Sequence, residues 1–288
     1  MRVASQWKDY ELIDASAGEK LERWGAVTLI RPDPQVLWNT PKDKRWETAN
    51  AHYRRSNTGG GGWEVRNLPG QEWDINYRSL RFRVRPTGFK HTGLFPEQAV
   101  NWDLLSDLIR KSDGQIEVLN LFAYTGGATL ACAAAGAAVV HVDAAKGMVQ
   151  WARENLRRTG LENAPVRWIV DDCKKFIERE IRRGHRYRGI IMDPPSYGRG
   201  PGGEVWKLED SIDELVGLAA GLLADDAVFF ILNSYTTGLS ASVMGYLLAL
   251  HTKRLKGSTS ADEIGLPVTS SGLVLPQGAT AAWVAGKF

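Results

Sequence analysis

The sequence predicts an α/β protein: a seven-stranded, mainly parallel sheet with helices on both faces, preceded by a small β-rich region. Three observations carry this. Short, nearly uninterrupted apolar runs recur from residue 118 onward, as in strands buried on both faces. Helical segments closed by glycine alternate with those runs, the rhythm of crossover connections. The first 90 residues lack that rhythm and read as short strands between turns.

Taken in order, Trp24–Ile30 reads as a strand stopped by Arg31-Pro-Asp-Pro34. A polar stretch from Pro41 to Arg55 leads to the turn Asn57–Gly62. Trp63–Val65, Trp73–Tyr77 and Leu80–Arg85 follow as strands. Alternation places Leu80, Phe82 and Val84 on one face of the last strand and Arg81, Arg83 and Arg85 on the other. That row of arginines is either a solvated face or a phosphate-binding stripe.

From Val118 the sequence predicts strands at Val118–Phe122, Ala138–Val142, Val166–Val170, Gly189–Met192 and Ala227–Leu232. Helices are predicted at Ala128–Ala135, Ala145–Arg158, Cys173–Arg183, Asp210–Leu223 and Ser240–Leu250. Leu266–Thr269 and Ala279–Ala285 form a closing hairpin. The domains expected are 1–90, a basic region for substrate or RNA, and 91–288, the sheet domain.

Composition narrows the function. Residues 1–90 hold 16 Lys and Arg against 11 Asp and Glu, while residues 91–288 hold 20 against 22. Six of the 11 tryptophans lie in the first 90 residues. Basic and aromatic side chains together suit a polyanion with stackable bases; equally, tryptophan serves as core ballast in a small loop-rich domain. Two cysteines, Cys132 and Cys173, make neither a disulfide framework nor a metal site. The charged start, MRVASQWKDYELID, has no leader-like apolar stretch, and no apolar run reaches membrane-span length. The expected location is the cytoplasm.

In an open parallel sheet the ligand crevice lies outside the carboxyl ends of the strands. Polar residues punctuate those ends: Asn120 and Thr125-Gly126-Gly127, Asp143, Asp171-Asp172, Asp193, and Asn233-Ser234. Single residues of this kind cap helices, but five successive strand ends carrying them point to a site. A carboxylate such as Asp143 accepts both hydroxyls of a ribose. The turn Gly126-Gly-Ala-Thr-Leu-Ala131 lacks the Gly-x-Gly-x-x-Gly spacing that a dinucleotide pyrophosphate needs. A ligand with ribose hydroxyls and no phosphates, such as S-adenosylmethionine (SAM), satisfies both observations.

Asn120–Gly127, His141-Val-Asp143, Asp171-Asp-Cys173 and Asp193-Pro-Pro195 resemble, in order and spacing, the motifs of class I SAM-dependent methyltransferases, whose fold is Rossmann-like. More closely they resemble the RlmI/RlmK group of bacterial 23S rRNA methyltransferases. Gly88–Gln98 is similar to that group's Lys-Thr-Gly-Phe-x-x-Asp-Gln stretch, with His91 inserted and Glu97 in place of Asp. The resemblance covers roughly residues 88–288. It implies that Phe122, Ala123, Tyr124, Thr125, Gly126 and Gly127 pass under the methionine part of SAM. It further implies that Asp143 and Ala144 meet the ribose and that Asp172, flanked by Cys173, lies near the adenine amino group. Asp193, Pro194, Pro195 and Tyr197 would face the methyl group and the acceptor base. The first 85 residues lie outside the resemblance; from alternation and the basic balance of residues 1–90 alone, Arg81, Arg83 and Arg85 are expected to meet RNA. Tyr197 either stacks on the base or covers the sheet end. The loop Gly198–Gly203 is either a lid or an exposed linker. Members of the group that methylate cytosine at C5 carry a cysteine where this chain has Asn233-Ser234-Tyr235, so a nitrogen acceptor is expected.

Overall fold

The computed structural model describes residues 1–56, 60–199 and 205–286. The chain divides into two compact units. One consists of Arg2–Val100 with Gly265–Gln277; the other holds Asn101–Ile264 and the residues from Gly278 onward, together with Met1. The division after residue 100 and the return of 265–277 to the first unit differ from the expected boundary at residue 90.

In the first unit β1 (Arg2–Val3) precedes β2 (Tyr10–Ser16), β3 (Glu19–Trp24), β4 (Val27–Pro32), α1 (Lys44–Glu47), β5 (Ala51–Arg55) and β6 (Gly61–Val65). The strands β2 to β6 make a five-stranded sheet in chain order, antiparallel except for β4 with β5. The single strand expected over Trp24–Ile30 is the corner of a hairpin. Gly25, at φ +64°, turns the chain between β3 and β4, a conformation that suits glycine. A second hairpin pairs β7 (Trp73–Tyr77) with β8 (Leu80–Val84).

The tryptophans of this unit are chiefly structural. Trp24 is fully buried, and the indole N–H groups of Trp7, Trp38, Trp46, Trp63 and Trp73 each donate to an acceptor within the unit. The core also encloses charge. Glu22, fully buried, accepts a bidentate contact from Arg31 at 2.5 and 2.8 Å and a bond from the Tyr10 hydroxyl at 2.7 Å. Lys20 bridges to Asp33 at 3.1 Å, and Gln277 bonds both. Each buried charge therefore has a partner, which is what burial of charge demands.

The second unit carries α2 (Ala99–Lys111), β9 (Glu117–Leu121), α3 (Gly127–Ala134), β10 (Ala138–Asp143), α4 (Lys146–Arg158), β11 (Val166–Val170) and α5 (Cys173–Arg183). These are followed by β12 (Gly189–Met192), β13 (Tyr197–Arg199), β14 (Val205–Lys207), α6 (Leu208–Ala220), β15 (Phe229–Ser234), α7 (Ala241–His251), β16 (Gly257–Pro267) and β17 (Val274–Ala285), of which the end of β16 from Gly265 and the start of β17 up to Gln277 belong to the first unit. The sheet order is β16-β17-β15-β12-β9-β10-β11, with β1 alongside β16. Ala4 N–H, just after β1, donates to the carbonyl of Gly265, a residue of its own unit. Strands β15, β12, β9, β10 and β11 are parallel, and β17 is antiparallel to β15. Leu119, Leu121, Val140, Val142, Ile190, Met192, Phe230 and Leu232 pack with α5, α6 and α7. The alternate residues Asn120 and His141 meet Thr129 of α3 on the other face.

The parallel strands fall within two residues of expectation. Among the elements from α2 onward, α2, β13, β14 and the first nine residues of β16, a polar stretch reading Gly-Ser-Thr-Ser-Ala-Asp-Glu-Ile-Gly, were not expected. Among the described residues no helix is long and apolar enough to cross a membrane.

Candidate active site

At the carboxyl end of β9 the chain turns sharply. Phe122, Tyr124 and Gly126 have φ of +56°, +51° and +87°, so three alternate residues are left-handed. For an aromatic residue this conformation costs on the order of 1 kcal/mol or more, and it persists only where the surroundings enforce it. Here they do. Phe122 N–H donates to Cys173 Sγ at 3.2 Å, Ala123 N–H to the Val142 carbonyl at 3.1 Å, and Tyr124 N–H to Asp143 Oδ2 at 2.9 Å. The Thr125 carbonyl accepts from Asn155 Nδ2 of α4 at 2.9 Å. A side chain on Gly127 would come within 2.6 Å of the Trp102 ring, so α3 starts pressed against α2.

Asp143 ends β10 half-buried. Its Oδ1 accepts from Ala145 N–H at 2.8 Å, and each carboxylate oxygen keeps a further lone pair. Burial raises its pKa above the ordinary carboxylate value, while the two backbone N–H groups oppose that rise; no cation contributes. The next strand end is tied in by Asp171 N–H, which donates to the Asp143 carbonyl at 3.1 Å. Asp172 is exposed and caps α5, accepting from Lys175 N–H at 2.9 Å. Ala144 is exposed beside Asp143. Cys173 lies beneath the β9 turn, buried, with its thiol 3.8 Å from the Val142 carbonyl.

Beyond β12, Asp193 is half-buried, Pro194 buried and Pro195 exposed. This turn is fastened on both sides. Trp206 Nε1 donates to the Pro195 carbonyl at 2.9 Å, Leu208 N–H to the Ser196 carbonyl at 3.1 Å, and Thr236 Oγ1 to Ser196 Oγ at 2.7 Å. Tyr197 opens β13 and is 53% exposed. Asn233 is buried at the end of β15 and accepts from Asn101 Nδ2 at 2.9 Å, and Thr280 donates to Asn101 at 3.3 Å.

The second unit thus brings together the β9 turn, Asp143, Asp172-Cys173 and the Asp193–Tyr197 turn at one end of its sheet. Of the loop Gly198–Gly203, Gly198 and Arg199 belong to β13 and the rest lies outside the described residues. Arg81, Arg83 and Arg85 belong to the first unit. The alternation holds, with Leu80, Phe82 and Val84 buried, but Glu72 lies 3.3 Å from Arg83 and 3.9 Å from Arg85. Sequence reasoning missed Asn101, Asn155, Trp206, Thr236 and Thr280. Asn155 alone left a signal, as a polar residue on the buried face of α4 with Ala152 and Leu156.

A family model described as S-adenosylmethionine-dependent methyltransferase matches residues 38–215. The SAM-dependent methyltransferase from Agrobacterium tumefaciens superposes with a TM-score of 0.91 at 36% identity, covering 99% of this chain and 93% of that one. SMU.776, solved as a complex with SAH, shares the fold with a TM-score of 0.76 at 18% identity, covering 97% of this chain and 76% of that one. Ribosomal RNA large subunit methyltransferase K/L of Shewanella frigidimarina is 35% identical over 134 residues, 46% of this chain. The chain spans only 17% of that relative's length. The chain belongs to the S-adenosylmethionine-dependent methyltransferase family. It is an enzyme, and SAM is its methyl donor.

The residues present fit that donor. A half-buried carboxylate with free lone pairs and no cation beside it suits two neutral hydroxyl donors and repels a phosphate.

Proposed function

We propose that this enzyme methylates a base of RNA, in 23S ribosomal RNA, at a nitrogen rather than at carbon 5 of a pyrimidine. The observation that carries the nitrogen assignment is the state of the two cysteines. Both are buried, and burial pushes both thiols well above their ordinary pKa, so neither supplies the thiolate that C5 chemistry requires. The strand end where a nucleophile would stand carries Asn233-Ser234 instead. The RNA assignment draws on the likeness to the K/L ribosomal RNA methyltransferase and on the basic excess of residues 1–90.

In this reading Asp143 accepts the ribose hydroxyls beside Ala144, Phe122–Gly127 run under the methionine part, and Asp172 and Cys173 flank the adenine. SAM supplies an electrophilic methyl group on a sulfonium. Asp193 and the carbonyls of the Pro194-Pro195 turn hold the acceptor base, and Tyr197 stacks on it. Fixed proline φ angles and the Trp206, Leu208 and Thr236 bonds keep that turn rigid, so its contribution is positioning. Arg81, Arg83 and Arg85 meet phosphates of the same RNA.

The test is methyl transfer from labelled SAM to ribosomal RNA that lacks the modification, with the product nucleoside identified by mass. An N-methyl base supports the reading. A 5-methylpyrimidine overturns the nitrogen assignment, and label appearing only in protein or a small molecule overturns the RNA assignment.

A further inference from the structure

The second unit is close to neutral, yet its charge is segregated. Residues 144–188 hold 12 Lys and Arg against 6 Asp and Glu, while the rest of 91–288 holds 8 against 16. The basic segment is α4, β11 and α5, and β11 is the terminal strand of the sheet.

The helix geometry collects these cations along that free edge. On α4, Lys146, Arg153 and Arg157 recur at i, i+7 and i+11 and form an exposed row, while Val149, Ala152 and Leu156 are buried. The Arg153 guanidinium stands 5.7 Å from the centre of the Trp168 ring on β11, which sets the stripe against the edge strand. On α5, Lys174 turns to Glu214 of α6 at 2.7 Å. Lys175, Arg179 and Arg182, at i, i+4 and i+7, lie on another side of the helix, and Arg179 pairs with Asp171 just past β11. Arg167 is exposed on β11 between the two helices.

Five of these twelve cations, Lys146, Arg153, Arg167, Lys175 and Arg182, have no carboxylate partner among the described residues, whereas Arg157 pairs with Glu154 at 2.9 Å. The Arg81/Arg83/Arg85 row differs, since Glu72 serves two of its three members. A concentration of unpaired cations beside a half-buried indole matches the charge and stacking of a nucleic-acid strand. Lys146 and Lys175 occupy the first turns of their helices, and these begin at the strand ends that carry Asp143 and Asp171. The stripe therefore starts at the rim of the candidate active site and runs away from it along the edge.

We propose that the α4-β11-α5 edge is a phosphate-binding track for RNA extending from the target nucleotide. The inference rests on the RNA reading above. Its test is the Arg153→Gln, Arg167→Gln, Arg182→Gln variant of the full chain, binding a 23S rRNA fragment at several salt concentrations, with SAM affinity as the folding control. The slope of log K against log salt is expected to fall by about 2, from roughly 0.7 for each single-strand phosphate no longer neutralised, with SAM affinity unchanged. Should the triple variant lose SAM binding, Arg167→Gln alone, at an exposed strand position, carries the test with an expected decrease of about 0.7. A folded variant with the parent's slope, where the parent does bind RNA, overturns the track and leaves the RNA reading standing; the cations then serve only to keep the edge strand from pairing. A parent that binds no RNA overturns the reading itself. Displacement of RNA by polyglutamate at equal charge concentration overturns RNA as the occupant.

Discussion

The backbone N–H of Tyr124 donates to Asp143 Oδ2 at 2.9 Å, so the carboxylate that ends β10 also holds the left-handed turn that ends β9. With Ala145 N–H on the other oxygen, Asp143 orders the loops on both sides of itself before any ligand arrives.

Asp143→Ala is expected to weaken SAM and S-adenosylhomocysteine by about 1.5–3 kcal/mol, the range for hydrogen bonds to a charged group, which is roughly ten- to a hundredfold. Its pH dependence has a definite sign. Burial raises the folded pKa of Asp143 above its unfolded value. Its contribution to the stability of the ligand-free protein is therefore present below the unfolded pKa and is lost as pH rises through the folded one. SAM binding needs the carboxylate and runs the other way, weakening as pH falls through the raised pKa. Calorimetry and melting across pH, on parent and variant, check both; unchanged SAM affinity in a folded variant would sink the assignment.

The two cysteines are expected to be dispensable for chemistry. The double variant Cys132→Ser, Cys173→Ser should keep methyl transfer within about an order of magnitude, because a serine oxygen still accepts the Phe122 N–H. Cys173→Ala leaves that N–H without its acceptor, at a cost of about 1–3 kcal/mol. The loss should appear in KM for SAM more than in kcat. Abolished turnover with intact SAM binding in the serine variant would show a covalent role.

Gly127→Ala forces a methyl group against the rigid Trp102 ring, whose nearest atom would lie at 2.6 Å. A destabilisation of about 1–3 kcal/mol is expected from overpacking. Trp102→Leu in the same chain should recover part of it. Additive losses in the double-mutant cycle would mean that the two residues do not press on each other.

Replacing Arg81, Arg83 and Arg85 together by alanine should lower RNA affinity and flatten its salt dependence by less than 2. Three fully neutralised single-strand phosphates would give about that value, but Glu72 already compensates Arg83 and Arg85. SAM affinity should not change. A variant with the parent's affinity and slope identifies the row as a solvated face.

The parallel strands and their polar ends were legible because both faces of the sheet are covered, which leaves continuous apolar runs ended by Asp143, Asp171 and Asp193. β3 was hidden for the opposite reason. Its buried positions include Lys20 and Glu22 beside Leu21, so the apolar alternation is broken by charges whose partners lie elsewhere in the sequence. The polar first half of β16 reads as a loop, since no buried apolar face marks it until Ile264. Asn101, Asn233 and Thr280 are far apart in sequence, and their alignment exists only in the folded chain. Trp206 and Thr236 fasten the Asp193–Tyr197 turn through a carbonyl and a hydroxyl, which leave no periodic trace.

The first unit is closed by residues far along the chain from its own strands. Ser270 Oγ donates to Asp14 at 2.6 Å, its backbone N–H donates to the Ile13 carbonyl at 2.9 Å, and Gln277 joins Lys20 to Asp33. During translation the N-terminal sheet therefore emerges with part of its buried charge unsatisfied. It waits through the synthesis of β9 to β15 before Gly265–Gln277 arrive to complete it, and the rest of β17 follows later still.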